Sequence, residues 1–162
     1  MSPNQVLFLC TGNSARSQMA EAIVNSRWGD DWHAVSAGTE PAGYVHDHAL
    51  RALAEIGIDH RGHSKSADEF RGRPFDLVIT VCDDAAQNCP FWPGQGRQVH
   101  FGLPDPAAAT GTEDEVLGAF RAVRDRLLNE LPDLLSQEEA TGVQDDALAP
   151  GLTLQPRRRD TQ

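Results

Sequence analysis

Cysteine is scarce in this chain: 3 in 162 residues. So low and odd a number excludes a disulfide-stapled secreted scaffold and points to a reducing cytoplasm. Basic residues are also few, 14 lysines and arginines against 24 aspartates and glutamates. The resulting net charge of −10 argues against nucleic acid or an anionic membrane as partner. No apolar stretch reaches the roughly 18 residues of a membrane span. The N-terminal apolar run is too short for a signal peptide and has no basic lead. There is no internal repeat, and the length suits one domain with a real core.

Against that acidic background, an anion site must draw its positive potential from local groups. One stretch is built to do so. The apolar run Val6-Leu7-Phe8-Leu9 ends in Cys10-Thr11-Gly12-Asn13-Ser14-Ala15-Arg16-Ser17. This is a Cys-x5-Arg loop between a strand and a helix. Backbone N–H groups and the start of the following helix converge there and favour negative charge at Cys10 and on a bound oxyanion. Gly12 is expected to bring the backbone close to the ligand and to take up positive φ, and Asn13 tolerates the left-handed region better than most residues. Arg16 offers a planar fork that grips two oxygens, which lysine cannot copy. Thr11, Gly12, Asn13, Ser14, Ala15, Arg16 and Ser17 are therefore the candidate oxyanion-binding residues, and Cys10 the nucleophile.

The rest of the chain alternates strands with helices. Val6–Cys10, Trp32–Ala37, Asp76–Val81 and Arg97–Phe101 read as strands, the first a continuous buried run. Helices are expected over Ala15–Arg27 and over His46–Ile56, with Gly57 as the stop of the second. Ser66 with Glu69 reads as a capping box for a short helix. Thr112 with Glu115 reads as another, opening a long helix whose inner face is Val116, Phe120, Val123, Leu127 and Leu131. The pattern predicts an α/β fold, a three-layer sandwich around a four-stranded parallel sheet, with ligands at the carboxyl ends of the strands. From Gln137 the pattern dissolves, so residues 1–136 are read as the domain and 137–162 as a flexible tail. Arg157-Arg158-Arg159 reads as a solvated charge run.

The other two thiols, Cys82 and Cys89, stand together just after the third strand run. Cys10 and Cys82 thus both fall at strand ends and are expected to share one crevice. One nucleophilic thiol with a nearby thiol pair suggests an enzyme that attacks an oxyanion and also passes electrons to it. An intact helix from Cys82 to Cys89 would hold their Cα atoms roughly 10 Å apart. A disulfide spans only about 4.4–6.8 Å. A relay through both thiols therefore requires that segment to change shape.

Several runs together resemble the thioredoxin-coupled arsenate reductases, which share the low-molecular-weight tyrosine phosphatase fold. They are Cys10 through Glu21, Val35-Ser36-Ala37-Gly38-Thr39, Val81-Cys82-Asp83-Asp84, Asn88-Cys89-Pro90 and Asp105-Pro106-Ala107. The resemblance runs from about Val6 to about Leu135. It implies reduction of arsenate by a Cys10–Cys82–Cys89 disulfide relay, regenerated by thioredoxin or another dithiol or thiol donor, in a cytoplasmic monomer with no cofactor. It makes Asp105 the general acid that protonates the leaving oxygen. Phosphatases of this fold usually carry aromatic residues after that Asp-Pro, whereas Ala107-Ala108-Ala109 follow here and Tyr44 is the only tyrosine. That departure favours a small inorganic oxyanion over an aryl phosphate.

Asn13, Glu21 and Ser36 match positions that help bind potassium in some of the resembling reductases. The matching fourth ligand, an aspartate, is Lys65 here, so no metal site is expected, and a Lys65–Glu21 salt bridge is. His60-x-x-His63 and His46-x-His48 have no accompanying ligand cluster and read as surface or capping histidines. The alternative functions are a phosphatase of the same fold, acting through Cys10, Arg16 and Asp105, and a non-enzymatic oxyanion or redox sensor.

Overall fold

The four expected strand segments become the strands of one parallel sheet: β1 (Asn4–Cys10), β2 (Trp32–Gly38), β3 (Leu77–Thr80) and β4 (Arg97–His100). Their order is β2-β1-β3-β4. The structure, a computed structural model, describes residues 3–81 and 96–143, without the side chains of 137–143. Cys82, Cys89 and the arginine run therefore lie outside the described residues. The described residues separate into two compact units that divide after Leu128.

Strand β1 is central, which explains its unbroken apolar run: Val6, Leu7, Phe8 and Leu9 are all fully buried. On one face Leu7, Leu9, Val35, Ala37 and Val78 pack with Ala67, Phe70 and Phe75. β4, at the edge of the sheet among the described residues, alternates half-buried and exposed residues. After β1 the chain crosses to β2 on one side, then returns to β3 on the other. The carboxyl ends of β1 and β3 therefore flank a topological switch point, where open α/β sheets bind ligands.

Helix α1 (Arg16–Arg27) packs on β1, β2 and α2 (Asp47–Ala54). Met19, Ala22 and Ile23 are buried along it, but so are Arg16, Ser17, Gln18, Ala20 and Val24. The first half of this helix is thus surrounded, and its polar residues must find partners inside the protein. In α2, Ala49, Ala52 and Leu53 are buried, whereas Leu50 is only half-buried. Ser66 caps the short 3-10 turn Ala67–Phe70 by accepting the Asp68 N–H.

Helix α3 runs from Glu113 to Val143. Its opening is the predicted capping box: the Glu115 N–H donates to Thr112 Oγ1 at 3.1 Å, and the Thr112 N–H donates to Glu115 Oε1 at 2.8 Å. Leu117, Phe120, Val123 and Leu127 are buried along it. The helix continues past Pro132 and Gln137, into the segment expected to be tail. Glu138, Glu139 and Ala140 are strong helix formers, and an already nucleated helix needs no apolar stripe to extend over them. Among the described residues, no helix is long and apolar enough to cross a membrane.

Replacing Thr112 by Ala should remove one of the two reciprocal cap bonds and lower stability by about 1 kcal/mol. Urea unfolding should register this as a lower midpoint with an unchanged slope.

Candidate active site

The segment from Cys10 to Arg16 closes a loop at the carboxyl end of β1. Its shape follows from where its carbonyls go. The Cys10 oxygen accepts the Thr39 N–H at 3.3 Å, Thr11 accepts Glu40 at 2.9 Å, Gly12 accepts Ala42 at 2.9 Å, and Ser14 accepts His46 at 2.8 Å. Asn13 accepts the Gln18 amide at 3.2 Å, and Ser64 Oγ adds a bond to the Gly12 oxygen at 3.0 Å. Five successive carbonyls are thus turned away from the loop's interior. In a planar trans peptide the next N–H points the opposite way, so the N–H groups of residues 11–15 are aimed inward. Ala15 starts α1 without a side-chain cap, and the positive end of the helix lies at the loop.

The positive φ expected of Gly12 belongs to Asn13 instead, at 50°. The Asn13 side chain anchors that conformation: Nδ2 donates to Ser17 Oγ at 2.8 Å, while Oδ1 accepts the Lys65 N–H at 2.9 Å and Gln18 Nε2 at 3.0 Å. Asn13 and Ser17 are both fully buried and hold the loop from behind. The sequence reading missed Gly38, which pairs with Cys10 in the β1–β2 register. A Cβ there would overlap the Thr11 carbonyl oxygen and come within 3.0 Å of Asn13 N. Its signal was a glycine at the end of a strand, beside the strand that ends in Cys10.

A cavity of about 210 Å³ opens over the loop, lined by Cys10, Thr11, Gly12, Ser14, Ala15, Arg16, Asp105 and Ala107. Cys10 is a free thiol, 2% exposed. Arg16 Nη1 donates to the Leu103 carbonyl at 3.1 Å, which ties its guanidinium to the segment bearing Asp105 two residues later. Asp105 Oδ1 accepts the Ala107 N–H at 3.0 Å and caps the turn Pro106–Ala108. Asp105 is thus a turn residue and a cavity residue at once. At the carboxyl end of β3, the Val81 N–H donates to the Leu9 oxygen at 2.9 Å.

Taken alone, this arrangement can hold a small tetrahedral oxyanion before a thiol, with an arginine and a carboxyl group beside it. The sequence pattern of the low molecular weight phosphotyrosine protein phosphatases matches residues 5–145. The chain belongs to that family. It is 44% identical over 128 residues to the arsenate reductase of Halalkalibacterium halodurans, covering 78% of this chain and 91% of that protein. Among solved structures it resembles an arsenate reductase in the phosphate binding state, with TM-score 0.70, 29% identity, and coverage of 83% of this chain and 98% of that one. It also resembles the thioredoxin-dependent arsenate reductase of Corynebacterium glutamicum, with TM-score 0.61, 26% identity, and coverage of 86% and 64%.

Behind the loop, the expected ion pair is present. Lys65 Nζ lies 3.6 Å from Glu21 Oε1 and donates to the His63 carbonyl at 3.1 Å; the same Glu21 oxygen accepts Ser36 Oγ–H at 2.6 Å. Both charged side chains are largely enclosed, at 9% and 15% exposure. Potassium does not fit these residues. A second unit cation about 4 Å away would be repelled by about 4 kcal/mol at an effective dielectric of 20.

The His46/His48 pair is also committed to structure. His46 is the N-cap of α2 and accepts the His48 N–H at Nδ1. Burial, reinforced by His48, pushes its pKa down. His48 Nε2 meets Glu113 at 2.8 Å.

The activity and melting midpoint of this chain should therefore be the same in matched sodium and potassium salts at constant ionic strength. Lys65→Asp should create a potassium-specific gain in both. A gain with the parent chain would show that a cation site survives beside Lys65.

Proposed function

We propose that the chain reduces arsenate to arsenite, with Cys10 as nucleophile, Arg16 and the loop N–H groups as oxyanion clamp, and Asp105 as general acid. The observation that carries this reading is the single cavity shared by Cys10, Arg16 and Asp105, with Ala107 on its rim, in a close relative of a known arsenate reductase. Alanine at that position offers no surface on which a phenyl ring could stack, while an inorganic oxyanion needs only the clamp.

The chemistry balances with three thiols. The Cys10 thiolate attacks As(V), and an arsenate oxygen leaves as water with a proton from Asp105, giving a Cys10–As(V) adduct. The Cys82 thiolate then attacks Cys10 Sγ. The S–As bond breaks with its electron pair going to arsenic, which leaves as arsenite while a Cys10–Cys82 disulfide forms. Cys89 attacks Cys82, frees Cys10 and leaves a Cys82–Cys89 disulfide for an external dithiol to reduce. Thioredoxin is the donor this reading favours, since a structural relative depends on it. The compartment that keeps such a donor reduced is the cytoplasm. Support for the Cys82 step is topological: Cys82 directly follows Val81, whose N–H bonds the residue before Cys10.

The second reading is a phosphatase using Cys10, Arg16 and Asp105, favoured by the family match. Steady arsenate-dependent NADPH oxidation with thioredoxin and its reductase is the deciding assay. Rapid release of phosphate from an aryl phosphate without such turnover would favour the phosphatase.

Cys10→Ser should abolish arsenate turnover and any aryl phosphate hydrolysis. Arg16→Lys should lower kcat/KM for arsenate by about a hundredfold, because a point charge loses the two-point grip. Cys82→Ser and Cys89→Ser should both lose coupled turnover but keep slow aryl phosphate hydrolysis. The Cys89 variant should stall after one cycle with Cys10 and Cys82 joined. Peptide mapping of the stalled protein checks the order of transfers.

A further inference from the structure

Gln18 is fully buried behind the oxyanion loop, one turn into α1. Its Nε2 faces three acceptors: the Asn13 carbonyl at 3.2 Å, Asn13 Oδ1 at 3.0 Å and the His63 carbonyl at 2.8 Å. An amide flipped the other way would set its oxygen against three oxygens, so the orientation is forced. Gln18 Oε1 is then left needing a donor. His60 Nε2 lies 2.7 Å from it.

We propose that His60 is a positioning residue for oxyanion binding: its Nε2–H fixes the Gln18 amide, which pins Asn13 in its left-handed conformation and so holds the loop N–H groups on the ligand. The proposal rests on reading Cys10–Arg16 as the oxyanion site. His60 does not touch the cavity; it acts through Gln18 and Asn13. Oxyanion binding is the property most exposed to its loss, because Asn13 supplies the one non-glycine positive φ among the described residues and sits at the centre of the loop.

A second feature prepares this contact. Gly62, two residues after His60, has no side chain where one would interfere. A Cβ there would overlap His60 Nε2 and lie 2.5 Å from Gln18 Oε1. No left-handed φ demands this glycine; space for the His60–Gln18 bond does. The chain thus spends two positions, a ring at 60 and bare backbone at 62, on one donor for one buried oxygen. Burial of His60 pushes its pKa down, with Glu21 opposing and Lys65 adding to the effect. A neutral ring protonated on Nε2 meets the requirement.

The test is titration calorimetry of the full, reduced chain with inorganic phosphate, a probe that needs neither Cys82 nor Cys89. His60→Ala should raise the phosphate Kd by about tenfold, since it leaves a buried acceptor unpaired and favours conformations in which Gln18 leaves Asn13 to reach water. His60→Gln carries an N–H donor at nearly the same reach and should return the Kd to within about twofold of the parent. Gly62→Ala should weaken binding as His60→Ala does. The KM for arsenate should follow the Kd across the series. Unchanged phosphate affinity in His60→Ala, even with a lower melting midpoint, would make the ring a packing element and overturn the proposal. So would a His60→Gln variant as weak as His60→Ala. If the parent chain binds no phosphate, the oxyanion reading itself fails, and the proposal with it; tight parental binding with an indifferent His60→Ala overturns the proposal alone.

Discussion

The site depends on five peptide carbonyls being turned outward at once. From Cys10 to Ser14, each C=O is held by a donor from another segment: the 39–46 connection, Gln18 and Ser64. Only then do the opposing N–H groups point inward, where an oxyanion and a thiolate can use them. An unpaired buried carbonyl costs about 1–3 kcal/mol, so the loop and its supports are strongly coupled. The loop alone, five residues between a strand and a helix, does not encode its own shape.

This explains why so much of α1 is polar yet buried. Asn13, Ser17 and Gln18 form a fully enclosed network, with the Lys65 backbone N–H as one of its donors. Networks of this kind are stabilising when every member is paired and costly when one is not. The same logic extends to charge. An acidic protein of net charge −10 has no general field to attract an anion, so positive potential is concentrated by Arg16, the loop amides and the start of α1. Behind them, Lys65 answers Glu21 from within the fold.

The strands and most helices were legible because they depend on local pattern. Continuous burial of Val6–Leu9, the capping box of Thr112 and Glu115, and the helix stop at Gly57 are each written within a few residues. The Cys-x5-Arg loop that lines the cavity was legible for the same reason, its ends being six positions apart. The supports were not. Gly38 matters because of a carbonyl 27 residues earlier in the chain, and no local pattern distinguishes it from any glycine at a strand end. His60 reads as a surface histidine until the fold lays its segment against Gln18. The positive φ went to Asn13 because a polar side chain could be anchored on three sides, which residue preferences alone do not reveal. The extension of α3 past Gln137 was not legible, because a polar helix extension carries no apolar period.

The central claim is that this loop presents a thiol to arsenate and that protein thiols supply the two electrons. Its most direct test is a single turnover with no external reductant. Fully reduced protein is mixed with excess arsenate, and arsenite and remaining thiols are both counted. The account predicts about one arsenite per chain, with two of the 3 cysteine thiols lost and none lost when phosphate replaces arsenate. Arsenate that leaves all three thiols titratable and yields no arsenite would contradict it.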